Sequence, residues 1–362
     1  MAKKVVVGMS GGVDSTVTAL LLQKAGYEVH GIFLRLWKYA NADVDEDSFA
    51  QQYQNLMIVA EQIGIEFQVV DARNRFRESV VQYFLDGYQA GLTPNPCYFC
   101  NRNLKWQVLL EEAGRLGAEA VASGHYSLVK TDAEGIAHLY RGLDPLKDQS
   151  YVLSSLRQDQ LQRIVFPLGQ YTKDQVREIA NENGLKIPNS GESQDICFLP
   201  QGEYGEFIKG ELPAIENPGD IIDAVTGQVI GQHRGLAFYT IGQRKGLGIY
   251  APTPTYVVDK LVDKNQLVVG PIHALGRSSM LVSDMNWISG FAPTQAFFSC
   301  DIEIRYHSRP YRGSVNLFDE MATVEFDQPL RDITPGQAAV FYIDNEVLGS
   351  GMITAAYGDG GK

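Results

Sequence analysis

The rhythm of hydrophobic and polar positions changes along the chain. In the first half, short apolar runs at Val5 to Val7, Val29 to Leu34, Phe67 to Val70 and Ala120 to Ser123 alternate with stretches of helical spacing. Phe49, Tyr53, Leu56, Met57, Ala60 and Ile63 recur at helical intervals, as do Phe76, Val80 and Phe84 and, more loosely, Leu104, Val108 and Leu116. Buried strands separated by amphipathic helices predict an α/β fold, a parallel sheet with helices on both faces. Lys173 to Asn183 reads as another helix, with Val176, Ile179 and Ala180 on one face and Gly184 as its stop. Beyond about residue 200, glycine, proline and short alternating runs replace the helical periods. From about Met280 the pattern is almost all strand: Phe297 to Tyr306, Ala322 to Phe326, Ala338 to Tyr342 and Val347 to Ile353. Evenly spaced short strands predict a small β-barrel.

The first strand runs straight into Gly8-Met9-Ser10-Gly11-Gly12-Val13-Asp14-Ser15, and an amphipathic stretch follows from Thr16 to Lys24. That placement makes the segment a phosphate loop. The glycines let backbone approach an anion, and the helix that follows turns its unpaired N–H groups to the same point. The Gly-Lys-Ser/Thr ending of the common nucleotide loop is absent, so no lysine is expected to reach the β and γ phosphates. A carboxylate beside polyphosphate is repelled unless a divalent ion bridges them, so Asp14 reads as a Mg²⁺ partner.

With 362 residues and 44% apolar content, the chain can form two or three cores. No apolar run is long enough to span a bilayer, and Met1 to Lys4 lead into a strand without an h-region, which predicts a cytoplasmic protein. A net charge of −12 argues against indiscriminate nucleic-acid binding but allows a local basic site. Arg305-Tyr306-His307-Ser308-Arg309-Pro310-Tyr311-Arg312 interleaves three arginines with two tyrosines and a histidine, a composition suited to phosphate contact and base stacking. Taken alone, the segment is accounted for more simply as a solvated strand-and-turn surface.

Four cysteines in a chain of this length do not make a disulfide scaffold. Cys97 and Cys100 sit in Thr93-Pro94-Asn95-Pro96-Cys97-Tyr98-Phe99-Cys100, a proline-stiffened loop read as opening a helix at Asn103. Cys100 near a helix N-terminus, with Arg102 and Lys105 nearby, is expected to have a lowered thiol pKa. Cys197, in Ser193-Gln194-Asp195-Ile196-Cys197-Phe198, is open between a buried structural thiol and a reactive one; Cys300 belongs to a barrel core.

These segments together resemble one family, the tRNA-specific 2-thiouridylases of the pyrophosphate-loop ATPase superfamily. The resemblance rests on residues 8 to 15, Thr93 to Pro96 with Cys100, Ser123-Gly124-His125-Tyr126, Lys147-Asp148-Gln149-Ser150-Tyr151, Ser193 to Phe198, Thr240-Ile241-Gly242-Gln243-Arg244-Lys245-Gly246, Arg305-Tyr306 and Pro335-Gly336-Gln337. It implies an ATPase domain over residues 1–203, a small central domain over 204–278 and a C-terminal tRNA-binding barrel over 279–362. The implied activity is ATP-dependent 2-thiolation of the wobble uridine, U34, of tRNA, by adenylation of the C2 oxygen and persulfide transfer with release of AMP and pyrophosphate. The ATP site falls on Gly8, Met9, Ser10, Gly11, Gly12, Val13, Asp14, Ser15, Leu34 and Gly124. Asn95, Pro96 and Cys97 would meet the target base, and His125, Lys147, Asp148, Gln149, Arg305, Tyr306 and Gln337 would meet tRNA. Cys100 takes the place of the nucleophile and Cys197 that of the persulfide carrier, with a disulfide between them after turnover. The implied partners are the tRNA anticodon stem-loop and a persulfide donor such as a cysteine desulfurase or relay protein, with no membrane.

Many members of that family carry Asp where Cys97 stands. Three thiols, Cys97, Cys100 and Cys197, open a competing arrangement in which they hold a [4Fe–4S] cluster with one iron free for sulfide. A ligase that adenylates a small carboxylate, or a non-catalytic tRNA-binding protein, are the other readings of a phosphate loop in this setting.

Overall fold

The computed structural model describes residues 2–37, 42–187, 196–199, 204–250 and 253–358. Ser193, Gln194 and Asp195 of the second cysteine segment, and the tail after Gly358, lie outside the described residues. Strands β1 (Lys4–Gly8), β2 (Glu28–Arg35), β3 (Glu66–Asp71) and β4 (Ala120–Ser123) are followed by a hairpin, β5 (Ser127–Thr131) and β6 (Ala137–Arg141), and by β7 (Ile164–Val165). Five of these form an all-parallel sheet in the order β3-β2-β1-β4-β7. Val5, Val6 and Val7 are fully buried. Cover on both faces of a parallel sheet is why the strand reads as an unbroken apolar run. Successive strands step outward from β1 to β3, then jump back across β1 to β4, which opens a crevice beyond the ends of β1 and β4.

The helices that shape this crevice are α1 (Val13–Lys24), α2 (Ala42–Ile63), α3 (Pro96–Cys100), α4 (Trp106–Leu116) and α5 (Lys173–Glu182). Between α3 and α4 the chain does not break but passes through a π turn, Asn101–Lys105. Leu56, Ala60 and Ile63 of α2 are buried, whereas Tyr53 and Met57 of the same periodic set are exposed. Thr172 caps α5 through its hydroxyl, and Gly184 ends the segment at φ 62, as its sequence predicts.

The central domain is a four-stranded sheet, β8 (Gly219–Asp223), β9 (Val229–His233), β10 (Tyr256–Leu261) and β11 (Gln266–Gly270), around Ile221, Phe238, Val257, Leu267 and Val269. Then β12 (Arg277–Trp287), β13 (Phe297–Glu303), β14 (Tyr311–Phe318), β15 (Met321–Leu330), β16 (Ala338–Ile343) and β17 (Glu346–Tyr357) run in the order β12-β15-β14-β13-β16-β17, and β12 pairs with β17 to close the barrel. Cys300 is fully buried in its core. The strand expected over residues 297–306 stops at Glu303, and Arg305 and Tyr306 fall in the turn that follows.

The β5–β6 hairpin leaves the parallel-sheet region and joins the barrel sheet, with Tyr140 opposite Glu346 and Leu139 opposite Val347. One core cluster therefore spans both regions, with Leu139, Tyr151 and Leu153 packed with Val340, Tyr342 and Val347. Among the described residues, no helix is long and apolar enough to cross a membrane.

Candidate active site

The phosphate loop wraps from β1 into α1, with Gly11 at φ 80 and Gly12 as the N-cap in an extended conformation. Internal bonds shape it: the Ser10 N–H donates to Ser15 Oγ at 3.1 Å, and the Ser15 and Thr16 hydroxyls bond the Gly12 carbonyl at 3.1 and 2.9 Å. The end of β4 lies directly against this loop. A Cβ on Gly124 would stand 2.7 Å from the Asp14 carbonyl carbon and 2.8 Å from the Ser15 nitrogen, so the approach requires glycine.

Asp14 has two partners that sequence reasoning missed. Lys173, at the start of α5 and only 6% exposed, donates from Nζ to both Asp14 oxygens at 2.8 and 2.7 Å, and the Tyr126 hydroxyl donates to Oδ1 at 2.8 Å. Both Asp14 oxygens are thereby engaged by protein donors. A cation is delivered to the loop after all, from a helix start 159 positions away that no local motif marks.

The thiols gather on the neighbouring wall. Asn95 caps α3 by accepting from the Tyr98 N–H at 3.1 Å, so the helix opens at Pro96 and not at Asn103. This corrects the expected placement of Cys100, which closes that first turn rather than preceding a helix. It is buried, and desolvation pushes its pKa up to about 12, the reverse of the lowered value expected from a helix N-terminus. Cys97 and Cys197 open to the surface, yet the protein around them still raises both thiols, Cys197 to about 12, again through desolvation. Cys197 is held at its turn by the next residue: Phe198 is 1% exposed among the rings of Trp37, Phe76, Phe84 and Phe207, at centroid distances of 5.3 to 5.6 Å. All four cysteines are free thiols.

Cys97, Cys100 and Cys197 all interact electrostatically with Lys105, and Cys197 interacts with the other two. Even so, among the described residues no three His, Cys, Asp or Glu side chains are close enough together to hold a metal ion. As arranged, the thiols do not fit a three-cysteine [4Fe–4S] cluster.

The barrel contacts the segment that carries Cys97 and Cys100. The Thr93 N–H donates to the Pro335 carbonyl at 3.0 Å, and Gln337 Nε2 donates to the Thr93 carbonyl at 2.9 Å. Tyr306, 38% exposed with His307 3.9 Å away between ring centroids, lies within electrostatic reach of Cys97.

Family profiles match the whole of this architecture: the tRNA methyl transferase HUP domain over residues 3–201, the tRNA methyl transferase PRC-barrel domain over 205–271 and the aminomethyltransferase beta-barrel domain over 277–353. The tRNA-specific 2-thiouridylase MnmA of Geobacter metallireducens is 43% identical, covering 99% of this chain and 98% of its own. This chain belongs to the tRNA-specific 2-thiouridylase family. The family member of Lacticaseibacillus paracasei is 44% identical over 98% of this chain and 95% of its own, and that of Chloroflexus aggregans 43% over 96% and 98%. Among solved structures, a 4-thiouridine synthetase–RNA complex with bound ATP covers 58% of this chain and 50% of its own at 16% identity and a TM-score of 0.33, too distant to bear on the site.

The residues that the family resemblance assigns to tRNA divide into two sets. Asp148 accepts from Arg141, from the Gly142 and Ser150 N–H groups and from the Ser150 hydroxyl, and Gln149 Oε1 accepts from the Tyr126 N–H at 3.1 Å. His125 places Nδ1 on Ser123 and Nε2 on Lys105. These three brace the crevice from within. Tyr306 and Arg305, the latter paired with Asp332 at 3.1 Å and half exposed, are open to solvent, and Lys147 is half-buried next to the exposed Leu146. Leu34 lines the end of β2, partly buried between two core clusters.

Proposed function

We propose that this chain catalyses ATP-dependent 2-thiolation of the wobble uridine of tRNA. One observation carries the reading: the phosphate loop and the thiol wall are separated by a single step of chain, since Gly124 packs on Asp14 and Ser15 while the adjacent His125 bonds Lys105 beside the cysteines. An activating nucleotide and a sulfur can thus address one base.

The chemistry needs both. A uridine C2 oxygen is a poor leaving group, and transfer of AMP onto it, with loss of pyrophosphate, makes it a good one. The loop N–H groups and Lys173 would hold the phosphates in line. A persulfide on Cys197, loaded by a donor protein, then delivers sulfur to C2. The outer sulfur of the persulfide bonds to C2 as AMP departs with the original oxygen; the Cys100 thiolate then attacks the Cys197 sulfur, breaking its bond to the transferred sulfur and forming a Cys100–Cys197 disulfide, which an external thiol reduces. An anticodon-loop base costs little to splay out, and Tyr306 with His307 offers it a ring surface beside Cys97. A methyl transfer, the activity in two of the domain names, uses neither the phosphate loop nor three thiols.

The decisive assay incubates the protein with ATP, Mg²⁺, a persulfide donor and unmodified tRNA and analyses the nucleosides by mass. We expect an oxygen-to-sulfur exchange in the wobble uridine, with AMP and pyrophosphate formed in step. Cys100→Ser and Cys197→Ser should each abolish it while tRNA retention on a filter stays within about twofold. A fully active Cys197→Ser protein would remove that residue from the reaction.

A further inference from the structure

Lys105 occupies a place in the site that thiol chemistry requires and that neither the phosphate loop nor the cysteines supply. It is the last residue of the π turn Asn101–Lys105, five positions after Cys100. A π turn carries one residue more than an α turn, and such turns recur at functional sites because they re-aim a side chain. Here the turn places Lys105 within electrostatic reach of the Cys100 thiol and of the other two cysteines. The turn is held on both sides. Asn101 is buried and bonds Val152 and the Trp106 indole, at 3.0 and 3.1 Å, and Arg102 bonds Asp284 of the barrel at 2.8 Å.

His125 fixes the Lys105 head group. Its Nε2 stands 3.2 Å from Lys105 Nζ, its Nδ1 bonds Ser123, and Trp106 and Phe166 box the ring at 5.7 and 5.8 Å. Burial, and the neighbouring lysine charge, hold the imidazole pKa well below its usual value, so His125 stays neutral and can accept from Lys105. The groups that face Lys105 are then this neutral histidine and the thiols of Cys97, Cys100 and Cys197.

We propose that Lys105 is the proton acceptor and counter-charge of the thiol wall, with His125 as its positioning residue. The proton leaves the Cys100 sulfur for the Lys105 amine, giving a thiolate beside an ammonium, and no other bond changes. The same ammonium faces the sulfur of Cys197. Burial alone opposes the transfer, raising the thiols and lowering the lysine, and the attraction between the lysine charge and the sulfurs works against burial, lowering each thiol and raising the lysine. An isolated thiolate is costly in that setting, and an adjacent cation offsets the cost.

This inference rests on the thiolation reading only for its purpose, because the proton transfer can be measured without ATP, tRNA or turnover. The full chain is alkylated with iodoacetamide at pH 8, and Cys97, Cys100 and Cys197 are followed separately by peptide mass spectrometry. Lys105→Met should slow alkylation of Cys100 and Cys197 by about tenfold, the effect of raising a thiol pKa by about one unit. Lys105→Arg should recover most of the Cys197 rate through its charge but not the Cys100 rate, since arginine does not accept the proton. His125→Gln, which leaves the lysine in place but loosens it, should fall between. Unchanged alkylation in a Lys105→Met protein with wild-type circular dichroism overturns the proposal. If that variant does not fold, unchanged rates in both Lys105→Arg and His125→Gln overturn it equally.

Discussion

A buried lysine aimed at a carboxylate inside a phosphate loop is a charge waiting for a ligand. Lys173 is almost wholly covered, and its two bonds to Asp14, with the Tyr126 hydroxyl, satisfy the carboxylate. Incoming phosphate offers the same ammonium more negative charge, and Asp14 is left to the Tyr126 hydroxyl and to the loop backbone. Lys173→Met should therefore reduce ATP-dependent pyrophosphate release by roughly a hundredfold, the scale of losing one preorganised donor. It should also lower the melting temperature, because Asp14 would remain paired with Tyr126 alone in a partly buried place. A variant that binds ATP and releases pyrophosphate normally would restrict Lys173 to a structural role. Nothing in Thr172-Lys173-Asp174 distinguishes this lysine from a solvated residue at a helix start, which is why the sequence pointed to the loop and not to its cation.

At the scale of elements, the turn Pro335 to Gln337 acts as a latch on the segment that carries the thiols. Thr93 is tied by its N–H to Pro335 and by its carbonyl to Gln337, and Gly336, at φ 95, packs so closely that a Cβ would stand 2.8 Å from the Thr93 carbonyl oxygen. Two residues on, Asn95 caps α3, and Cys97 and Cys100 follow within its single turn. Gln337 is expected to contact tRNA by family resemblance, yet its amide nitrogen is committed to Thr93. Gln337→Ala should then lower kcat for thiolation by about tenfold with little change in KM for tRNA, whereas a direct RNA contact would raise KM and leave kcat alone. Much at this scale was legible: β1 to β4, α5 and the strand-rich C-terminal third follow from periodicity because burial on one face or two writes itself into residue choice. The β5–β6 hairpin was not, since five-residue strands that pair with a barrel far down the chain carry no local sign of their partner. Cys100 was misplaced for a related reason. Asn95-Pro96 is a helix start of its own, with a cap and a proline at the first position, and it reads as loop until the cap bond is seen.

Across the whole molecule, that hairpin joins the barrel to the nucleotide-binding domain, and a histidine clamps the joint. His138 of β6 bonds Glu346 of β17 through Nδ1 at 2.7 Å and Asp132 of the hairpin turn through Nε2 at 3.0 Å. Partial burial alone would depress its pKa, but hydrogen bonds to the two carboxylates and their charges outweigh it and hold the imidazole above its usual value of 6.5. The folded state thus binds this proton more tightly than the unfolded chain does. The clamp's contribution is complete below pH 6.5 and is lost as pH rises through the higher folded value. Asp132 works at the other end of the scale. Its hydrogen bond from His138 lowers its pKa below 3.8, so its share is present above that value and fades only in acid. Denaturant titrations of the full chain should show stability declining on the alkaline side of pH 6.5, and His138→Gln should flatten that slope and also shrink the acid-side loss, since Asp132 then keeps only its backbone donors at Ile136 and Glu134. Because the joint also aligns Tyr306 and Gln337 with the thiol wall, the same variant should lose thiolation activity at about pH 6 more than at about pH 8, where the wild-type clamp is already weakened. An activity ratio independent of pH would mean that the shared core of Leu139, Val340, Tyr342 and Val347 holds the two domains in register without the clamp.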